Sequence, residues 1–240
     1  MRKLIIATSI LALAASGCNA ARGEEPGPSV SRAFQVGAFD KIEVAGPYEV
    51  QVTTGSAPSV RATGPDNAIE RMVVEVEGGT LKIHPRKKNG LNFGWSKNHK
   101  VVLQVSVPSL RGAEIAGSGD IVVDKVSGDH FDGGIAGSGA LKLGQVQVAS
   151  LSLGIAGSGE AQLGQGKAGR VEYEIAGSGD IDGGGLAAER AKVSIAGSGN
   201  VVANASGTAD VDIAGSGDVR VTGGAKCNVS KAGSGNVTCG

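Results

Sequence analysis

The sequence predicts an all-β protein built on a parallel β-helix, a solenoid whose coils are 18–20 residues long, with a less regular β region at its N-terminal side. Three observations carry this. The step "IAGSGD", which begins at Ile115, recurs in near copies beginning at Ile135, Ile155, Ile175, Ile195 and Ile213, and once more with Lys231 replacing the isoleucine. The intervals are 20, 20, 20, 20, 18 and 18 residues. Apolar residues stand two apart on both sides of each step, as with Leu151 and Leu153 before Ile155 and Leu141 and Leu143 after Ile135. That is the period of a strand with one buried face, and the helical period is absent. Finally, 41 glycines beside 3% aromatic residues leave too little bulk for a conventional core, and their regular spacing argues against disorder. Stacked coils place equivalent side chains in ladders about 4.8 Å apart, with right-handed winding expected from the crossover rule.

From the N-terminus, residues 1–17 read as a secretory signal: Arg2 and Lys3, an apolar run from Leu4 to Ala15, then small residues. The run is too short to span a bilayer, which needs about 20 apolar residues. "AASGC", ending at Cys18, resembles a bacterial lipobox, with Ala15 where that pattern has leucine; a plain secretory cut near Ala20 is the alternative. Asn19 lacks the aspartate that retains lipoproteins at the inner membrane, so the expectation is an outer-membrane lipoprotein, attached to membrane through the lipid alone. Residues 18–32, polar and rich in Pro and Gly, read as a flexible tether. Removing Arg2 and Lys3 from 23 basic residues leaves 21 against 23 acidic ones, a formal charge of −2 that argues against nucleic acid as a partner.

Residues 33–110 form the less regular β region. "VAGPYEV" from Val44 to Val50 aligns with "IAGSGDI" as a divergent early coil, and Gly78-Gly79 is a hairpin signal. Asp66 is placed to cap a short helix carrying Ile69, Met72 and Val73. Residues 111–240 form the regular repeat. Between its strands glycine allows a turn in little space, whereas the sequence leaves open whether the motif serines point in or out, because a bend resets the alternation. Lys231 interrupts the isoleucine row, and such a charge deters a further strand. Cys227 and Cys239 fall in inward columns of this last coil, and a disulfide between them would close a loop worth about 3 kcal/mol.

No phosphate loop, metal-ligand pair or Ser-His-Asp spacing is evident, and His84, His99 and His130 are scattered, so neither cofactor nor metal is expected. The column after the glycine step (Asp120, Ala140, Glu160, Asp180, Asn200, Asp218, Asn236) reads as turn chemistry. Its adjacent acids Glu160 and Asp180 are the basis of an alternative, a polysaccharide lyase-like β-helix enzyme. An interaction candidate is "PRKKNGLNFGWSKNHK", where Arg86, Lys87, Lys88, Lys97 and Lys100 surround Phe93 and Trp95. Cations beside aromatics suit sugars, acidic glycans or lipid headgroups. The plainer expectation is a solvated hairpin.

Taken in order, "FDKIEVAGPYEVQVTTG", "GPDNAIERMVVEVEGGTLKI" and the serial "AGSGD" steps resemble the bacterial GIN-domain family, known as auto-transporter adhesin head domains and filed as a domain of unknown function. The match covers about residues 33 to 239. The resemblance implies an exported β-helical domain and brings no catalytic residues. The expected function is therefore a non-enzymatic cell-envelope protein that binds a surface, an envelope protein or a glycan.

Overall fold

Inward aliphatic residues alternating with outward polar ones make each coil a run of strands. The computed structural model, which describes residues 26–86 and 100–240, stacks those runs in parallel register. The N-terminal part comprises β1 (Ser29–Phe34), β2 (Lys41–Ala45), β3 (Glu49–Thr54), β4 (Ser59–Pro65), α1 (Asp66–Glu70), β5 (Met72–Glu77), β6 (Thr80–Pro85) and β7 (Val102–Val107). The repeat begins with β8 (Gly112–Gly117), β9 (Asp120–Gly137), β10 (Ala140–Gly157), β11 (Glu160–Leu163), β12 (Gly166–Gly177) and β13 (Asp180–Gly197). It ends with β14 (Asn200–Gly215), β15 (Asp218–Thr222), β16 (Lys226–Gly233) and β17 (Val237–Cys239).

The wall that precedes each glycine step stacks β6, β2, β8, β9, β10, β12, β13, β14 and β16. The wall after the step stacks β7, β3, β9, β10, β11, β13, β14, β15 and β17. "VAGPYEV" is thus a true early coil: Val44 pairs with Ile115, and Glu49 pairs with Asp120. Where the coil shortens to 18 residues, the β13–β14 pairing shifts between Asp182 and Ala187 and again between Ala188 and Arg190. The isoleucine row crosses this slip unbroken, Ile195 against Ile213.

The interior is a continuous ladder of aliphatic side chains from Phe39 to Val221. Among the described residues no charged side chain is buried. At the inward positions Gly133 and Gly183 the missing side chain gives room to a larger neighbour. A Cβ at Gly133 would stand 2.1 Å from Leu153 Cδ2, and one at Gly183 would stand 2.5 Å from the hydroxyl of Tyr173. That tyrosine is 1% exposed, and burial pushes its phenol well above the usual range.

The glycine step is a matter of shape. From Ser138 onward the backbone N–H of each motif serine donates to the carbonyl of the first motif glycine one coil earlier, Ser138 to Gly117 and Ser158 to Gly137, both at 2.8 Å. Gly137 sits at φ +135, where a Cβ would lie 2.2 Å from the Gly117 carbonyl oxygen. A Cβ on the second glycine, Gly139, would lie 2.1 Å from the Gly119 oxygen. The serine side chains point outward to solvent in every copy.

At the N-terminal end the stack is closed by antiparallel pairs, β5 on β6 and β4 on β7, with β1 added to β4. The Gly78-Gly79 hairpin is present, joining β5 to β6. The short helix differs from the sequence reading. Pro65 is its N-cap and makes no side-chain cap bond. Asp66 is its first residue, and its carboxylate accepts the Asn67 N–H at 2.6 Å. Ile69 is buried as expected, but Met72 and Val73 belong to β5, because pairing with β6 takes over once the helix stops at Glu70. At the C-terminal end a disulfide joins Cys227 and Cys239, whose Cα atoms are 6.6 Å apart. Lys231 folds back to donate to the Gly235 carbonyl at 2.7 Å. With no coil beyond it, Val229 is left 49% exposed. No helix among the described residues is long and apolar enough to cross a membrane.

Candidate functional site: an alanine-lined groove

Each motif isoleucine turns into the core, so the residues on either side of it turn out and leave a trough between them. Repeated coil upon coil, the trough becomes a groove of about 840 Å³ running along the solenoid. One wall is methyl groups alone: Ala116, Ala136, Ala156, Ala176, Ala196, Ala214 and Ala232. The other wall carries Glu43 and Glu114 toward the N-terminal end, Gly134 and Gly154 in the middle, and Glu174, Ser194, Asp212 and Ser230 beyond. At one residue pair per rung, the distance from Glu43 to Ser230 is roughly 34 Å.

The middle of the groove is open. A Cβ on Gly154 would meet nothing within 4 Å, and one on Gly134 would meet only the Glu114 Cγ at 3.6 Å. Every charged residue lining the groove is acidic. None of the four carboxylates makes an ion pair or side-chain hydrogen bond among the described residues. The neighbouring cations are engaged elsewhere. Lys82 feels Glu43 but is bonded to Glu77, which raises its pKa. Lys192 feels Glu174 but is bonded at 2.6 Å to Glu172, whose carboxyl that bond holds below its usual range.

The column after the glycine step has a structural task. Asp120 accepts the Ala140 N–H at 3.0 Å, Asp180 accepts both the N–H and the side-chain amide of Asn200, and Asp218 does the same for Asn236. Each carboxylate ties its coil to the next. Glu160 and Asp180 are register partners, as the repeat implies. Among the described residues no group of three acidic, histidine or cysteine side chains is arranged to hold a metal ion.

Of the basic and aromatic segment, Arg86 and Lys100 are described. The Arg86 N–H donates to the Arg71 carbonyl at 2.6 Å. Lys100 pairs with Glu49 at 2.6 Å, and that bond lowers the glutamate's pKa. Lys87, Lys88, Phe93, Trp95 and Lys97 lie outside the described residues, as does Cys18.

The structure also brings together a trio that spacing did not reveal. His130 Nδ1 lies 2.8 Å from Ser150 Oγ, and His130 Nε2 lies 2.7 Å from Asp132 Oδ1. His130 and Ser150 are register partners one coil apart, a relation visible in the sequence only once the repeat is used as a ruler. The Ser150 hydroxyl reaches the Asp129 carbonyl at 3.2 Å. With the hydroxyl directed at that carbonyl, the contact ties two coils together and does not present the serine to a base. Both His130 and Asp132 side chains are 50% exposed on an open sheet face.

Comparison with known proteins follows the fold. The profile of a family described as "Putative auto-transporter adhesin, head GIN domain" matches residues 38–225. No curated protein matches the chain. Among solved structures, a putative adhesin from Bacteroides fragilis superposes with a TM-score of 0.81 at 24% identity, over 90% of this chain and 100% of that one. A protein from Parabacteroides distasonis titled a putative lipid binding protein gives 0.71 at 27% identity, over 89% and 97%. A putative adhesin from Parabacteroides distasonis gives 0.67 at 20% identity, over 89% and 97%.

Proposed function

Because the chain belongs to the family of auto-transporter adhesin head GIN domains, we propose that it is a non-enzymatic binding protein of the cell envelope, held by lipid at Cys18 to the outer membrane and presenting its groove to a partner. Family membership supports an adhesive or binding role at the cell surface in general. The single observation that carries the groove reading is the unbroken methyl wall facing four carboxylates that have no ion-pair partner among the described residues. A trough needed only for folding gains nothing from leaving those groups together. The basic and aromatic residues Arg86, Lys87, Lys88, Phe93, Trp95, Lys97 and Lys100 are a second candidate for contact, their chemistry being suited to an envelope glycan.

A lipid reading has one observation in its favour, since a relative of 27% identity is titled a putative lipid binding protein and the methyl wall here is apolar. The carboxylates oppose anionic headgroups, so the peptide-like or basic partner is preferred. One experiment tests the whole reading: cells carrying wild type, Cys18→Ser or Gly154→Leu are compared for fatty-acid labelling and for attachment to envelope-coated surfaces. Wild type should be labelled and attach. Cys18→Ser should lose label and surface retention, and Gly154→Leu should keep label but lose attachment. Attachment that survives Gly154→Leu unchanged removes the groove from the function.

A further inference from the structure

We propose that the groove binds an extended, positively charged polypeptide segment whose basic side chains recur about every four residues. This rests on the reading of the groove as the binding site and names its partner class. The first argument is shape. The trough runs across successive rungs, is open at its centre and has methyl groups along one wall, so it accepts a chain with small side chains lying along the solenoid axis. The second is charge. Among the described residues, Glu43, Glu114, Glu174 and Asp212 are the charged ones lining it, with no lysine or arginine beside them. A cationic ligand meets carboxylates with no ion-pair partner among the described residues, so binding disrupts none of the ion pairs described.

The third argument is spacing. Ile115 and Ile175 pair through the same register, so Glu114 and Glu174 stand three rungs apart, about 14 Å. An extended chain advances about 3.3–3.4 Å per residue, so that span matches about four residues. Asp212 lies two rungs beyond Glu174, about 10 Å or three residues further. Gly134 and Gly154 fill the interval between the acids with empty space, where intervening side chains of the ligand can sit. An acyl chain would use the methyl wall but not the acids. A neutral glycan would lack the aromatic platform that sugars stack on, for no aromatic residue among the described ones lines the groove.

The test uses the full chain and three synthetic peptides of sixteen residues: four repeats of Lys-Ser-Val-Gly, the same peptide with Glu for Lys, and one with its lysines gathered at one end. Binding is measured by fluorescence anisotropy at low and physiological salt. The evenly spaced lysine peptide should bind saturably and weaken with salt, the glutamate peptide should not bind, and the gathered peptide should bind less tightly. Glu114→Gln/Glu174→Gln should weaken binding roughly five-fold. Gly154→Leu, whose added side chain has open space, should abolish saturable binding with the melting temperature retained. Equal affinity for all three peptides, or for wild type and either variant, overturns the proposal. So does a preference for phosphatidylcholine vesicles over the lysine peptide. Attachment of wild-type cells without peptide binding sinks this proposal and leaves the adhesive reading standing; loss of both removes the two together.

Discussion

Gly137 and Gly154 are indistinguishable by composition, yet they stand at opposite extremes of tolerance. Gly137 sits at φ +135 against the backbone of the preceding coil, whereas nothing lies within 4 Å of a Cβ on Gly154. Gly137→Ala should therefore cost about 3 kcal/mol in urea unfolding, and Gly154→Ala should stay within about 0.5 kcal/mol of wild type or gain slightly. Periodicity already separates the two in the sequence, because the first glycine recurs in every step and Gly154 belongs to a column shared with Glu114, Glu174 and Ser194. The outward aim of the motif serines was not legible, since a corner at φ +135 breaks the alternation from which direction is read. The His130–Ser150–Asp132 contact was hidden for a related reason. Its members are neighbours through register, not through local spacing.

Among elements, the final rung differs most from the others. β16 pairs with β14 on one side only, Val229 is 49% exposed, and Lys231 occupies the isoleucine row with its ammonium on the Gly235 carbonyl. Lys231→Ile should extend the apolar row to an uncovered edge, so concentration-dependent end-to-end association is expected in sedimentation velocity, with wild type remaining unchanged. A variant that stays at the wild-type sedimentation coefficient over the same range contradicts that role. The sequence showed this rung well, because a lysine in an isoleucine column and two cysteines in inward columns stand out against the repeat. The N-terminal end was less legible. Gly78-Gly79 announced its hairpin, but the helix boundary was misplaced because Met72 and Val73 suit both a helix face and a strand, and pairing with β6 decides between them. The pairing of β1 with β4 joins segments about thirty residues apart with no repeat to relate them.

At the scale of the whole molecule, the coils are interchangeable lengths of one rod. Ala140 pairs with Asp120 on one side and Glu160 on the other, so deleting residues 140–159 brings Glu160 into the vacated register. That deletion should retain the β circular dichroism spectrum and shorten the rod by about 4.8 Å in small-angle scattering, whereas deleting residues 140–149 alone should unfold it. The rod was legible because its period is strict; the groove was not, because its acidic wall is irregular and acquires meaning only once the isoleucines are known to turn inward. One consequence belongs to β1. β4 is the one strand it pairs with, and most of its side chains are exposed, with Val30 and Phe34 packed against the core. Tension arriving through the chain ahead of Ser29 would therefore strip this outer ribbon before it loaded the interlocked coils, making β1 the yielding element of the fold.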